Sequence, residues 1–392
     1  MGRIWTPFVQ LCAVGLLARL GYQMARSPVL PRFAQDLGAA PELLGLIVAA
    51  STMTGIAIKL PAGALSDVLG RKRMMLLGCL FFAGPPFLYP FVHSPGALLA
   101  LRFLHGFATA IFSPVASAYV ADLAQKGRGE KIGWFALAND IGGTIGPLLG
   151  GLVLYATASY VTIYLLVGAL GVLPFLLVLE VPDASRAIEQ DGSGGRWATF
   201  KAGIVEVLSS RPVLIASGVE AAMYVGYGAF LGFFPPYARE VGLNDAQIGI
   251  ILGGQLATAM AAKPIGGRLS DRLGRKPLIL GGLLLSAGIL PFIALTWRFA
   301  LLFVLAAFFG LGVALVTPST TALVADLVKA GRMGSAMGVF GTIWDTGEAA
   351  GPILAGLLIA SLGYSPAFAL IASLMAVVAL VFAGSVRDPQ RA

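Results

Sequence analysis

The ten residues GALSDVLGRK run from Gly63 to Lys72, and a close relative, GRLSDRLGRK, runs from Gly267 to Lys276. Their setting makes the repetition informative. Only 12% of the 392 residues are charged, 57% are hydrophobic, and the mean hydropathy is +0.86. Such a composition lies outside the usual soluble range. Two nearly identical clusters of Arg and Lys, half a chain apart, therefore punctuate a polypeptide made mainly of apolar runs.

Those runs are roughly 20 residues or longer, the length that crosses a bilayer as a helix. About twelve are expected, near 8–34, 43–65, 74–92, 97–123, 133–156, 160–180, 213–239, 246–266, 277–296, 299–327, 335–361 and 365–386. Strand alternation is absent, so helices must satisfy the backbone in lipid. No small-residue cleavage site follows the first run, which is expected to remain as a span. The opening MGRIWT fits a loose myristoylation pattern by chance.

A net charge of +8 and a pI near 9.6 raise the question of nucleic acid, but the distribution answers it. Roughly nineteen Lys and Arg fall on one side of this topology and about three (Arg32, Arg239 and Arg298) on the other. The charge is a topology signal that places both termini and the central segment in the cytoplasm, with no nucleic acid as partner. Lys59 and Lys263 are expected to snorkel. Cys12 and Cys79 lie in predicted spans, without neighbours at metal-ligand spacing. Neither HExxH, CxxC nor GxxxxGK[ST] occurs, and no nucleophile stands beside an evident base. The expectation is no enzyme, no metal and no cofactor.

A shift of 204 residues aligns more than the opening pair. PRFAQDLG at Pro31 meets PPYAREVG at Pro235, SPVASAYVADL at Ser113 meets TPSTTALVADL at Thr317, and, with one added residue, DIGGTIGP at Asp140 meets DTGEAAGP at Asp345. Six helices were copied. An even number per copy preserves orientation and predicts an all-α fold: two six-helix bundles related by a pseudo-two-fold axis along the membrane normal, with a site at mid-membrane. The expected division is 1–180, a linker at 181–212, and 213–392. In the linker, Phe200, Ile204, Val207 and Leu208 recur at helical spacing and predict a short amphipathic helix.

With these residues in view, the chain resembles the major facilitator superfamily over essentially its whole length. The family pattern G-x-L-x-D-x-x-G-R-K after helix 2 is matched by Gly63, Leu65, Asp67, Gly70, Arg71 and Lys72. Its helix 4 Arg and Gly are matched by Arg102 and Gly106. Its helix 5 pattern, G-x-x-x-G-P-x-x-G-G, is matched by Gly142, Gly146, Pro147, Gly150 and Gly151, and the resemblance associates that pattern with antiporters and exporters. Asp122 and Asp326 end helices 4 and 10, where the dipole disfavours a carboxylate, so Arg71 and Arg275 are natural partners. Asp67 and Asp271 would face a helix amino end in the opposite half, completing a gating latch of Gly63, Asp67, Gly70, Arg71, Asp122, Asp271, Arg275 and Asp326.

Ionisable groups within spans mark pathways. Arg19, Gln23 and Arg26 form one polar face on helix 1, and Arg102 and His105 share a face of helix 4. Asp140 and Asp345 occupy equivalent positions, which favours a shared structural duty. The small residues beside them, with Pro147, Gly351 and Pro352, allow close approach or bending of helices. Glu220 and Glu348 have uncharged counterparts, Leu16 and Gly143. A carboxylate is expensive as an anion in an apolar setting, which suits it to exchanging a proton. Glu220 and Glu348, with Asp345, Asp140 and Arg102, are the proton-coupling candidates; Arg19, Gln23, Arg26, His105, Met223, Tyr224 and Tyr227 are the cavity candidates.

The expected function is proton-coupled export of a small amphipathic organic compound by a monomer in the inner membrane, its partners being that substrate, protons and the bilayer. The arginines of the first half leave organic-anion transport or lipid flipping open, and a non-transporting sensor is the remote alternative.

Overall fold

A computed structural model describes residues 6–123, 128–183, 210–328 and 333–385. Apart from short connections these residues are helical, with no strand among them. We number the membrane-length helices α1 (Pro7–Asp36), α2 (Pro41–Leu69), α3 (Arg71–Phe91), α4 (Pro95–Asp122), α5 (Arg128–Thr157), α6 (Tyr160–Glu180), α7 (Arg211–Glu240), α8 (Asp245–Leu273), α9 (Arg275–Ile293), α10 (Phe299–Leu327), α11 (Met333–Leu362) and α12 (Tyr364–Ser385). Eleven of them are long and apolar enough to span a bilayer, and α11, at 30 residues, equals the longest of these. The linker helix predicted around Phe200 lies outside the described residues.

The helices pack as two units, Met1–Ile188 with Ala238–Gly253, and Glu189–Tyr237 with Gly254–Ala392. The turn between α7 and α8, second-repeat sequence, packs with the first unit. Within the first unit α1 lies along α5 and α6, while α4 lies along α2 and α3. Within the second, α9 lies along α10 and α12.

Glycines set these contacts. A Cβ on Gly142 would stand 2.2 Å from the Leu16 carbonyl oxygen, and one on Gly347 2.4 Å from that of Ala221. Likewise Gly106 meets Ser51, and Gly310 meets Gln255. The second pair is one contact made twice at the 204-residue spacing, and the first recurs one residue further on, at 205. Without a hydrophobic driving force between helices in lipid, such backbone proximity supplies the attraction.

Two local features depart from the expected helices. The charged motif needs no loop: α2 runs to Leu69, a single residue, Gly70, turns the chain at φ 95°, and α3 starts at Arg71. Gly274 does the same at φ 98° between α8 and α9. That backbone region strains any residue with a Cβ, which is why both turns carry glycine. Helix α1 is interrupted at Ser27 (φ −140°, ψ 126°), immediately before Pro28, whose ring disfavours helical geometry in the preceding residue.

Candidate functional site

In the second unit, α7 presents Glu220, Met223, Tyr224 and Tyr227 at helical spacing. Glu220 is wholly buried. Its Oε2 accepts a 2.5 Å hydrogen bond from Thr320 Oγ1 on α10, while Oε1 has no partner in hydrogen-bonding geometry. Thr317 and Lys263 lie close by. Thr317 Oγ1 stands beside the carboxylate without completing a well-formed bond. The Tyr224 ring packs 4.7 Å from Trp344 and 5.4 Å from Tyr227, centroid to centroid. The indole Nε1 is buried without a partner. This aromatic cluster beside a half-satisfied carboxylate is the most chemically poised part of the unit. Trp344 was missed by the sequence reading, although it directly precedes Asp345.

In the first unit, Arg102 is also wholly buried. Nη2 donates to Ser51 Oγ at 2.7 Å and Nη1 to the Tyr89 hydroxyl at 3.4 Å, while Nε has no partner. Tyr89 also meets His105 Nδ1 at 3.1 Å and stacks on Tyr164 at 3.9 Å. The guanidinium lies 5.7 Å from the centre of the Tyr22 ring. Among the described residues Arg102 forms no ion pair; aromatic faces and hydroxyls offset its charge instead. Tyr22, Tyr89 and Tyr164 were not singled out from sequence, because tyrosines on separate helices carry no spacing signal.

The polar face of α1 divides. Gln23 is buried where α1 meets Gly146 of α5, whereas Arg19 and Arg26 are half-buried. Asp345 is buried and Asp140 and Glu348 are half-buried, all on the glycine-lined helices. Gly351 abuts the Val225 carbonyl, and Pro352 lies against the position of Gly228. Pro147 and Pro352 both sit inside unbroken helices.

Around the GRK turns the two units repeat one network. Arg71 bridges Asp67 at 2.5 Å and Asp122 at 3.2 Å and donates to Ser66. Arg275 bridges Asp271, reaches Asp326 at 3.1 Å and donates to Ser270. Each aspartate of the motif thus meets its own arginine. A carboxylate at the end of α2 and a guanidinium at the start of α3 are each disfavoured by their helix dipoles, and pairing offsets both. Lys72 Nζ donates to the Leu179 carbonyl at 2.7 Å, and Lys276 Nζ to that of Ala383 at 2.5 Å, so the motif lysines cap α6 and α12. Gly63 has open space around it.

At the other end of the helices the first unit holds an ionic cluster that the sequence reading did not find. Arg32, almost fully buried, lies 3.1 Å from Asp245, and Arg239 lies 2.7 Å from Asp36. The Tyr160 hydroxyl donates to Asp36 at 2.5 Å. Beside them a Cβ on Gly151 would fall 2.5 Å from the Asp245 carbonyl oxygen. Two arginines counted as topology markers are therefore paired.

Comparison with known proteins matches this architecture. The family model for the Major Facilitator Superfamily fits residues 11–237 and 216–392. An uncharacterized MFS-type transporter of Methanocaldococcus jannaschii is 26% identical over 366 residues, 92% of this chain and 91% of that protein. The quinolone resistance protein NorA of Staphylococcus aureus is 24% identical over 335 residues, 84% of each. A bacterial homologue of the human lysosomal transporter Spinster, solved inward-facing and unoccupied, superposes with a TM-score of 0.74 at 16% identity, over 96% of this chain and 93% of that one. The nucleoside transporter NupG gives 0.76 at 14%, over 97% and 100%. Helices, duplicated motifs and family model agree: the chain belongs to the Major Facilitator Superfamily of membrane transporters.

Proposed function

We propose that this transporter is a proton-coupled exporter of a small amphipathic organic compound, working by alternating access in the cell membrane with both termini cytoplasmic. The observation that carries the reading is Glu220: a carboxylate without exposed surface, one oxygen bonded to Thr320 and the other unpartnered, on a helix whose repeat partner has Leu16 at that position. Burying a half-satisfied carboxylate is costly, and such groups in membranes are retained for function. The aromatic neighbours Tyr224, Tyr227 and Trp344 offer an apolar, adaptable wall for an amphipathic ligand. The helix 5 pattern and the likeness to a quinolone resistance protein support outward direction.

The test uses proteoliposomes loaded with a pH dye, with a fluoroquinolone and ethidium as probes. Proton movement is expected on probe addition. Glu220→Gln keeps an acceptor for Thr320 but removes the exchangeable proton. It should abolish gradient-driven transport while leaving probe binding intact. Proton-driven transport surviving in both Glu220→Gln and Glu348→Gln would refute the assignment.

A second reading, transport of an organic anion or a lipid, is favoured by the ion-pair-free Arg102. Inhibition of transport by organic anions but not by organic cations would select it.

A further inference from the structure

Trp344 stands on α11 among acceptors that it does not use. Asp345 follows it, Glu348 lies one turn on, and its ring packs on Tyr224, itself one turn after Glu220 on α7. Glu220 Oε1 is buried and unpartnered, yet the indole Nε1, equally buried, bonds neither to it nor to any other acceptor. A donor shut away from water without an acceptor forfeits the full desolvation of that group. Native structures hold few such groups without a reason.

The other repeat shows that the position does not demand this arrangement. In the alignment of DIGGTIGP with DTGEAAGP, Trp344 corresponds to Asn139. Asn139 Nδ2 donates to the Phe135 carbonyl at 2.7 Å, four residues back on its own helix, so its donor is satisfied locally. The close helix contact beside each residue is the same, Gly142 on Leu16 and Gly347 on Ala221. Packing α11 on α7 therefore needs no indole. The second repeat carries a large ring and an unsatisfied N–H where the first closes its own bond.

The surroundings narrow what can complete that bond. The ring is half-buried, with Nε1 on its covered edge. A flat molecule lying along the open part of the ring can carry an acceptor to that edge, and aromatic faces favour such offset stacking. A carboxylate as acceptor would meet Glu220, Asp345 and Glu348, whose like charge opposes it. A neutral carbonyl oxygen meets no such opposition, and the same acids favour an amine elsewhere on the molecule.

We propose that Trp344 is a specificity residue: its indole N–H donates to the carbonyl oxygen of a flat aromatic substrate stacked against Trp344 and Tyr224, and so selects carbonyl-bearing molecules from otherwise equal ones. Resting on the transport reading above, this narrows the amphipathic compound to that class.

The test measures binding to the purified full chain by isothermal titration calorimetry. Its probes are aminofluorenone and aminofluorene, flat amines that differ only in a ketone, and ethidium, which has no carbonyl. The wild type should bind the ketone about tenfold more tightly, the worth of one well-made hydrogen bond. Trp344→Phe keeps an aromatic ring and removes the donor. It should erase that ratio, leave ethidium affinity unchanged and melt no lower than the wild type, because the N–H makes no bond within the protein. Equal binding of the two amines by the wild type, or a preference that persists in Trp344→Phe, overturns the assignment. A variant that fails to fold, or that loses ethidium binding along with the preference, makes the ring structural and overturns it too. With the ratio and its loss as expected, but neither ethidium nor protons moved in proteoliposomes, the transport reading falls and the role of the indole in binding stands.

Discussion

Arg102 carries a positive charge in a place with no exposed surface, and its partners are Ser51 and Tyr89, both neutral. Removing a guanidinium from water costs several kcal/mol, and without a carboxylate the Coulomb term that usually repays part of this is missing. Arg102 is thus a poor investment for stability alone. Methionine of similar length should pack in its place, leaving Tyr89 bonded to His105. We expect Arg102→Met to melt at or above the wild-type temperature, since the desolvation cost of the buried charge is removed, and to lose transport. A scanning-fluorimetry melt and a proteoliposome flux on the same preparation decide it. A protein that melts lower and still transports would make Arg102 purely structural.

Helix contacts are where the sequence was most legible. The glycine spacing around Asp140 and Asp345 identified a close-packed face, and the structure sets the Leu16 and Ala221 carbonyls against Gly142 and Gly347. Neighbouring glycines differ: Gly143 has nothing within 4 Å of its would-be Cβ. Gly142→Ala and Gly347→Ala should each cost about 1–3 kcal/mol through overpacking. Gly143→Ala should be neutral or stabilising by up to about 1 kcal/mol, since alanine favours helix. Unfolding midpoints in mild denaturant separate the three. The break at Ser27 carried a weaker signal, a lone Pro28 within a long apolar run, and was read through as continuous span. The Arg32–Asp245 and Arg239–Asp36 pairs carried none. Their members stand 213 and 203 residues apart, close to the repeat spacing without obeying its register, so neither periodicity nor duplication marks them. The Tyr22, Tyr89 and Tyr164 cage around Arg102 was hidden for the same reason, since tertiary contact between helices leaves no local trace.

For the whole molecule, the duplication makes a demand that no single contact makes: residues 204 apart must emerge on the same side of the membrane, because each copy holds six spans. Val68 and Arg272 are such a pair, both exposed beside the GRK turns. His93 and Trp297 are another, both exposed in the connections after α3 and α9. With Cys12→Ala and Cys79→Ala as background, Val68→Cys and Arg272→Cys should react with a membrane-impermeant maleimide only from the face rich in Lys and Arg, the cytoplasmic one. His93→Cys and Trp297→Cys should react only from the other. An inverted repeat would place each pair on opposite faces. The charge count supplies the orientation and the repeat supplies the pairing, so the two ideas can fail separately. All four sites reversed would refute the cytoplasmic assignment alone. A split within either pair would refute the parallel duplication, and with it the matched networks of Arg71 and Arg275 as one device used twice.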